Sequence, residues 1–419
     1  MSAPSPSARS YDPVDLSSRA FWSSTAAERE RSYAVLRAER PVSWHPPVED
    51  AMLDDPDDPG FWAVTRHADI VTVSRTNEVF LSGKGVQFEN IPAELLETTQ
   101  SFLAMDPPRH TTLRKLATAA FTPRQVRRIE GSIKASAKAI VEELKAAGSG
   151  ADFVEYCAKE LPLRTLADMM GIPGSERAQV AHAADALVTA NDPVCLGGRS
   201  AMEVMFESVG YLHQLAGTLA AQRREQPGDD LFSSLVNAEV DGDRLTDAEI
   251  SAYFVLLCVA GNDTTRQTTS HALKALTDFG EQRAWLLEDF DRRIGMAVEE
   301  FIRYATPVMT FRRTAATDYE LGGQTIRAGD KVAMFYASGN WDETVFDQPD
   351  RLDLSRDPNP HVGFGGGGQH YCLGTHVARA QLRAMFTELL RELPGIEAGK
   401  PEYVAGSFIH GVRAMPCTF

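Results

Sequence analysis

The chain has 419 residues and carries 42 Lys and Arg against 58 Asp and Glu, so its formal net charge is −16. This balance argues against a protein whose whole surface binds nucleic acid or an anionic membrane. The composition is that of a globular protein, and the length alone allows two or three domains. Five scattered cysteines without a CxxC pair, a start without an apolar signal segment and no run of about 18 apolar residues predict a cytoplasmic protein with no membrane span.

Taken in chain order, the sequence is mostly helical with short β segments near its two ends. Residues 1–10, rich in Pro and Ser, are predicted to be a disordered lead. A β-rich run follows at Phe61 to Thr65, and a second β cluster with glycine turns spans Tyr319 to Phe335. Between them, apolar residues recur three and four apart from Arg124 to about Asp278. The predicted class is therefore mainly α with small β-sheets.

One long helix is predicted to begin near Asp247. Thr246 and Glu249 have the spacing of a capping box, and the apolar run that follows indicates a helix crossing the interior. Its middle reads Ala260-Gly261-Asn262-Asp263-Thr264-Thr265, which is a poor choice for a buried helix: Gly costs about 1 kcal/mol against Ala, and buried polar groups need partners. Either a kink with a polar helix contact or a functional role accounts for this segment.

The most informative segment runs from His361 to Gly374 and contains Cys372 just before a helical pattern. Gly363 to Gly368 matches G-x-G-x-x-G, so a dinucleotide site is one interpretation. No βαβ unit surrounds it, and Glu388 falls inside the helix rather than at the end of a second strand. The other interpretation is a cysteine ligand: unpaired N–H groups at a helix start stabilise a thiolate, and glycines let the backbone approach a planar group.

This segment resembles the haem-binding loop of the cytochrome P-450 family. The resemblance implies the cytochrome P-450 fold, a single domain over residues 11–419 around one b-type haem, with Cys372 as the axial thiolate of the iron and dioxygen as co-substrate. Phe364, Gly365 and Gly374 belong to the same loop. One departure stands out: the family's Phe seven residues before the cysteine is Gly365 here, and Phe364 lies one residue earlier. Which side chain covers the sulfur therefore stays open.

Two further motifs match the family in the right order. Glu300 and Arg303, three apart on one helix face, with Arg351 downstream, resemble the family's buried Glu-Arg-Arg structural triad. The polar segment of the long helix resembles the family's acid-alcohol pair. By that resemblance Ala260 and Gly261 leave space for dioxygen, and the catalytic residues Asp263 and Thr264 deliver protons to it.

The resemblance also implies the residues around the haem and the substrate. Cationic donors for the two haem propionates are expected at His110, Arg114, Arg313 and His370. The family's substrate cavity maps onto segments of apolar content, as suits a hydrophobic small molecule. Its expected lining residues are Phe88, Ile91, Leu96, Phe102, Val255, Val259, Val308, Met309, Phe311, Phe408 and Ile409.

The amino-acid sequence of the cysteine loop looks most like that of the actinobacterial branch that includes mycobacterial methyl-branched-lipid and sterol hydroxylases. This implies hydroxylation of an unactivated C–H bond of a branched-chain lipid, terpenoid or sterol, with two electrons from NAD(P)H through a ferredoxin and its reductase. Two alternatives remain open: a polyketide or secondary-metabolite hydroxylase of the same family, and a haem-thiolate binding or sensor protein without turnover.

The net charge is uneven, and this bears on the electron donor. No Asp or Glu occurs from Pro107 to Ile129, which predicts a basic surface. The family resemblance implies that this surface borders the cysteine side of the haem, where an acidic ferredoxin is expected to dock on a monomeric protein. The residues expected on that surface are Arg109, Lys115, Arg127, Arg128, Arg379 and Arg383.

Overall fold

The computed structural model describes residues 9–49, 51, 55–91, 93–118, 121, 123–190, 192–240 and 242–419. Over these residues the chain is mostly helical, as the periodicity predicts. The α-helices are α1 (Arg19–Trp22), α2 (Ala26–Glu39), α3 (His67–Arg75), α4 (Ala93–Gln100), α5 (Arg109–Thr118), α6 (Pro123–Ala147), α7 (Glu160–Met170), α8 (Arg177–Val188), α9 (Pro193–Leu196), α10 (Ala201–Glu225), α11 (Leu231–Val236), α12 (Asp247–Asp278), α13 (Gly280–Glu288), α14 (Phe290–Ala305), α15 (Tyr336–Gly339) and α16 (Thr375–Glu392). A 3-10 turn at Ser101–Ala104 and a π-helical turn at Val154–Ala158 complete the helical segments.

Helix α12 is the central element, and its start is the one that the capping box predicts. The Thr246 hydroxyl accepts the Glu249 N–H at 3.3 Å, and the Glu249 carboxylate accepts the Thr246 N–H at 2.8 Å. The helix has 32 residues, most of them buried from Ile250 to Leu276. It packs against α4, α7, α8, α10 and α14. The prediction of a helix that crosses the interior is confirmed.

The strands form one small sheet and four two-stranded ribbons. The strands are β1 (Val42–His45), β2 (Phe61–Val64), β3 (Phe80–Leu81), β4 (Glu239–Val240), β5 (Asp243–Arg244), β6 (Thr310–Ala315), β7 (Tyr319–Leu321), β8 (Gln324–Ile326), β9 (Lys331–Phe335), β10 (Glu397–Ala398), β11 (Glu402–Tyr403), β12 (Val412–Ala414) and β13 (Cys417–Thr418). The five-stranded sheet has the order β1-β2-β9-β6-β3, in which only β2 and β9 run parallel. Strands β2, β7, β8 and β9 fall in the two predicted β segments, whereas β4 and β5 interrupt the stretch predicted to be helical.

Two helical cores lie along α12. One joins α6, α14 and α16 to the second half of α12, and the other joins α5, α7, α8 and α10 to its first half. Ile129 and Ala380 pack against both cores, so the molecule is one domain rather than the two or three that its length allows. The main cavity lies where these cores meet, with Leu382 of the first core and Leu166 of the second on its wall.

The beginning of the chain is described from Arg9 onward, so the predicted lead lies outside the described residues except for its last two. The Arg9 guanidinium lies 4.9 Å from the ring centroid of Trp44 and pairs with Asp330 at 2.8 Å. None of the helices in the described ranges is both long enough and apolar enough to cross a bilayer.

Candidate active site

The main cavity encloses about 1590 Å³ of space free of protein atoms, part of it open to solvent. One face of α12 forms a wall, through residues that recur three and four apart, and the loop before α16 forms another. Helix α7 and the start of β6 close the remaining sides. From these elements, the walls include Leu166, Met169, Leu256, Leu257, Ala260, Gly261, Thr264, Thr265, Thr268, Val308, Phe311, Arg313, Phe364, Gly365, His370, Cys372, Leu373, Gly374, Val377 and Gln381.

The glycine run before Cys372 packs against α3. Gly365, Gly367 and Gly368 have φ angles of 94°, 96° and 75°, which favour glycine. A Cβ atom at Gly368 would lie 2.2 Å from the Ser74 carbonyl oxygen, and one at Gly366 would lie 2.6 Å from the Ser74 hydroxyl. The glycines are therefore required by the close approach of the loop to the end of α3, and only Gly365 of these four lines the cavity. The interpretation that the run as a whole lies against a planar group is wrong for Gly366, Gly367 and Gly368.

Cys372 lies two residues before the N-cap end of α16, with its side chain open to the cavity. Burial in protein raises the pKa of its thiol, while the Gly374 N–H and the guanidinium groups of Arg114 and Arg379 act in the opposite direction. The Cys372 N–H donates to the Phe364 carbonyl oxygen at 3.0 Å. The Phe364 ring borders the same cavity and lies under the Arg379 guanidinium at 4.7 Å. The arrangement presents one sulfur, held by backbone, to the cavity.

A cluster of basic side chains stands beside this loop. Arg114 donates to the Tyr371 carbonyl oxygen, Arg313 donates to the Arg312 carbonyl oxygen at 2.7 Å, and the rings of His110 and His370 lie 4.4 Å apart. Arg114, Arg313 and His370 line the cavity, whereas His110 lies behind His370. Among the described residues, neither ring nitrogen of His110 has a hydrogen-bond partner, which leaves both available to a bound group.

The charge of this cluster is uncompensated. Within the described part of the chain, no carboxylate lies within ion-pair distance of Arg114 or Arg313, and burial lowers the pKa of both guanidinium groups. Burial, together with Arg114 and Arg313, also lowers the pKa of His110 to about 4, although Asp106 acts in the opposite direction. A buried surplus of positive charge fits an anion bound in the cavity. The residues present thus fit haem, with the Cys372 sulfur for its iron and this cluster for its propionates.

The polar segment of α12 splits between two faces of the helix. Asp263 is buried on the face toward α8, where its carboxylate pairs with Arg266 at 2.8 Å and accepts from Gln267 at 3.0 Å, and its second oxygen has no partner. Burial raises the pKa of Asp263 against the effect of Arg266, and nearby Asp185 adds to the rise. Thr264 faces the cavity, and its hydroxyl donates to the Ala260 carbonyl oxygen at 3.0 Å. Only the alcohol of the predicted pair is therefore on the cavity wall.

The predicted structural triad is formed, with one correction. Arg303 donates twice to Glu300, at 2.7 and 2.8 Å, and both side chains are completely buried. The third side chain on this carboxylate is Arg356, at 3.3 Å, and not Arg351. Arg351 contributes only its backbone carbonyl oxygen, which accepts from Arg303 at 3.1 Å, while its exposed side chain lies 3.5 Å from Glu281. The third member of the structural triad is therefore Arg356, five residues after Arg351.

The predicted substrate residues divide among three cavities and the core. Only Phe102, Val308 and Phe311 line the main cavity. Phe88, Ile91, Phe408 and Ile409 line a second, smaller cavity, and Met309 lines a third together with Ile409. Val255 is fully buried in the core, Val259 packs against that core, and Leu96 is buried beside Gly85. The predictions for Val255, Val259 and Leu96 as main-cavity residues are wrong.

The helix period explains the error on α12 and shows which residues were missed. Thr264 faces the cavity, and seven residues earlier on the same face stands Leu257, while Val255 is nine residues earlier and points away. Counting back from Thr264 leads to Ala260 and Gly261, which were predicted, and to Leu257, which was missed. No comparable sequence signal marks Leu166 and Met169, since α7 reads as an ordinary amphipathic helix.

The basic residues predicted on the cysteine side differ in their surroundings. Arg109 pairs with Glu97 at 2.8 Å and with Glu249 at 3.0 Å, and Arg379 is bound by Glu299 at 2.6 Å. These pairs neutralise both side chains. Lys115 on α5, Arg127 and Arg128 on α6 and Arg383 on α16 are exposed. Arg109 and Arg379 are therefore already engaged by carboxylates of this chain.

Comparison with known proteins agrees with this architecture. The family description of cytochrome P-450 matches residues 199–394. The chain is 39% identical to a methyl-branched lipid omega-hydroxylase of Mycobacterium tuberculosis over 97% of this chain and 94% of the relative, and 36% identical to a steroid C26-monooxygenase of Mycolicibacterium smegmatis over 91% and 88%. A cytochrome P-450 of Mycobacterium marinum, solved in complex with pseudoionone, superposes with a TM-score of 0.96 at 73% identity, covering 98% of this chain and 99% of that one.

A helical fold built around one cysteine thiol, with a basic cluster beside it, defines a haem-thiolate protein. The chain belongs to the cytochrome P-450 family and is a monooxygenase.

Proposed function

We propose that this monooxygenase hydroxylates an unactivated C–H bond of a lipophilic, branched-chain substrate with electrons from a ferredoxin. The single observation that carries the substrate class is the main cavity, whose walls are mostly apolar. Its polar side chains are the basic cluster, the threonines of α7 and α12, Tyr336, Tyr371 and Gln381. The names of the relatives, a methyl-branched lipid omega-hydroxylase and a steroid C26-monooxygenase, support an apolar substrate that is oxidised near a chain end. The protein is taken to act as a cytoplasmic monomer.

In this proposal the chain's own residues bind the haem at two places, its iron and its propionates. Cys372 supplies the thiolate ligand, and the Gly374 N–H and Arg114 stabilise its negative charge. Arg114, Arg313 and His370 bind the propionates, with His110 behind them. When bound, thiolate-ligated haem activates dioxygen so that one oxygen atom is inserted into a C–H bond of the substrate.

The polar segment of α12 handles protons. Thr264 presents its hydroxyl to the cavity above the cysteine loop, and Asp263 stands on the next face with one carboxylate oxygen unpartnered. Because burial raises its pKa, Asp263 is suited to pick up a proton and release it toward the Thr264 hydroxyl. The Arg266 contact returns the carboxylate to its charged form. Ala260 and Gly261 leave room beside that hydroxyl.

The substrate class is tested by titrating the holoenzyme with pseudoionone, a methyl-branched fatty acid, a sterol and a macrolide polyketide while following the Soret band. Branched and terpenoid compounds are expected to shift the band and to give a hydroxylated product with a surrogate ferredoxin system. A shift and turnover with the polyketide alone would move the protein to the secondary-metabolite hydroxylases. Tight binding with no oxidised product from any compound would favour the sensor alternative.

Two variants separate the roles of the cysteine and the threonine. Cys372→Ser is expected to abolish the thiolate-dependent band of the reduced carbon monoxide complex. Thr264→Ala is expected to keep that band but to lower the product formed per dioxygen consumed, because the cavity loses its proton-donating hydroxyl. Full coupling in Thr264→Ala would remove Thr264 from the mechanism.

A further inference from the structure

Two smaller cavities lie on the side of the main one that is formed by Val308 and Phe311. The middle chamber, about 680 Å³, lies between the segment 87–91, the end of α8 and the segment 404–409. The outer chamber, about 640 Å³, is lined by the segment 22–26, Arg29, Asp192, Val194, Met309 and parts of the segment 403–413. Val404, Ala405 and Ile409 line both, so the two chambers share a wall.

Two aromatic rings are in contact between the main cavity and the middle chamber. Phe311 lines the main cavity and Phe408 the middle chamber, and their ring centroids lie 5.5 Å apart. Beside them, Val308 of the main cavity forms a backbone bridge with Ile409. Both rings are only partly buried, and side chains with solvent access change rotamer quickly. Rotation of these rings is the motion that would connect the main cavity with the middle chamber.

The outer chamber contains a buried charge without a counter-ion. The Arg29 side chain is only 6% exposed and donates to the Ser24 carbonyl oxygen, and in the described ranges no carboxylate lies within ion-pair distance of it. The acid of this chamber, Asp192, is already engaged: it accepts N–H groups from Val194 and Ala405 at 2.9 and 3.1 Å and lies 3.7 Å from Arg413. A buried, unpaired guanidinium is costly unless an anion joins it.

We propose that Arg29 holds the carboxylate head of the substrate, whose apolar chain runs through the middle chamber and places its far end in the main cavity near Cys372. This inference rests on the proposed function, which supplies the lipophilic chain. A guanidinium presents parallel N–H donors that match the two oxygens of a carboxylate. The middle chamber is lined by apolar residues such as Phe88, Ile91 and Leu187, but also by the acidic residue Glu89. A like charge there disfavours a second carboxylate, so the charged head of the substrate is placed beyond this chamber, at Arg29. The substrate is therefore a branched-chain acid rather than its ester or alcohol.

The test compares one acid with its own ester in the holoenzyme. Phytanic acid and methyl phytanate share the branched chain and differ in the charged head, and their dissociation constants are measured by calorimetry and by Soret shift. Because a hydrogen bond to a charged group contributes roughly 1.5 to 3 kcal/mol, the wild type is expected to bind the acid about 10- to 100-fold more tightly. Arg29→Gln should lose most of this preference and leave ester binding within about twofold, while Arg29→Lys should keep part of it.

Arg31→Gln is the matched control, because Arg31 lies on the same helix with its side chain 74% exposed and only a 3.8 Å contact to Glu28. It should leave both constants unchanged. Equal affinity for acid and ester in the wild type, or an acid preference that survives in folded Arg29→Gln, overturns the proposal. If Arg29→Gln does not fold, the wild-type comparison and Arg29→Lys decide. Turnover of pseudoionone is the separate measure of the proposed function, so either idea can fail while the other stands.

Discussion

Two groups of buried charges lie in the same molecule and are built in opposite ways. In the first group, the Glu300 carboxylate pairs with both Arg303 and Arg356. It also accepts a hydrogen bond from the Asn359 side chain at 2.9 Å. Arg303 also donates to the carbonyl oxygens of Asn340 and Pro349, so its donors are used within the protein. Around the cysteine loop, Arg114 and Arg313 lie on a cavity wall, and no carboxylate among the described residues pairs with either.

The difference separates scaffold from binding site without reference to any relative. A charge that the chain itself neutralises contributes to folding, and its loss is felt with or without a ligand. A buried charge that the chain leaves unpaired is a cost in the empty protein and is repaid when an anion binds. Arg29 in the outer chamber belongs to the second kind.

Removal of Arg303 tests the neutralised group. Arg303→Ala leaves the Glu300 carboxylate buried with too few partners, and the free energy of unfolding should fall by about 3 to 5 kcal/mol. Urea unfolding of the variant measures this, in protein purified with and without haem, and both forms should lose stability. Arg351→Ala is the matched control: its side chain is 54% exposed, so the change should stay under about 1 kcal/mol. Equal losses in the two variants would restore Arg351 to the triad.

Glu299 is another charge that this chain neutralises, and its contribution to stability should depend on pH. Burial disfavours its charged form, but hydrogen bonds from His361 and Arg379 outweigh that effect and lower the pKa of Glu299 to about 2. A carboxyl with a lowered pKa stabilises the fold above its unfolded value, 4.5, and this contribution disappears as the pH falls toward 2. Because Glu299 and Arg379 are both partly exposed and water screens their charges, Glu299→Gln should cost about 1 to 2 kcal/mol at pH 7. The gap to wild type, followed by chemical unfolding, should narrow steadily below about pH 4.5. A gap that does not depend on pH would contradict the ion-pair explanation.

Arg313→Gln tests the second group, the arginines beside the cysteine loop that have no carboxylate partner among the described residues. The variant should release haem about tenfold faster than wild type, since one charge-assisted contact to a propionate is lost. Haem transfer to an acceptor protein measures that rate. The haem-free variant should be as stable as the haem-free wild type within about 1 kcal/mol, because an unpaired buried charge has been removed. A loss of stability as large as that of Arg303→Ala would show that Arg313 is scaffold as well.

The sequence predicted those features that depend on local pattern. The capping box at Thr246 placed the start of α12, and the spacing of Glu300 and Arg303 placed both on one helix face. It failed where a partner comes from a distant segment. Nothing local tells Arg351 from Arg356, since the choice depends on how the loop after α15 folds back on α14. Likewise, the glycine run suggested a ligand. The structure shows instead that Ser74 of α3 lies so close to Gly366 and Gly368 that a larger residue would not fit there.

The exposed basic residues on the cysteine side are expected to change only the rate of reduction by a ferredoxin. Arg109 and Arg379 are neutralised by carboxylates of this chain, so a docking surface for an acidic ferredoxin would draw on α6 and α16, through Arg127 and Arg383. Exposed charges chiefly change the association rate, and they act over about 10 Å at 0.1 M salt. The double reversal Arg127→Glu with Arg383→Glu should therefore slow reduction by a ferredoxin several-fold at low salt and very little at high salt. Stopped-flow reduction at two ionic strengths measures this, with Arg199→Glu, between α9 and α10, as the control reversal. If the double variant and the control are reduced equally fast at low salt, the donor docks elsewhere, and these charges belong with those that serve neither folding nor binding.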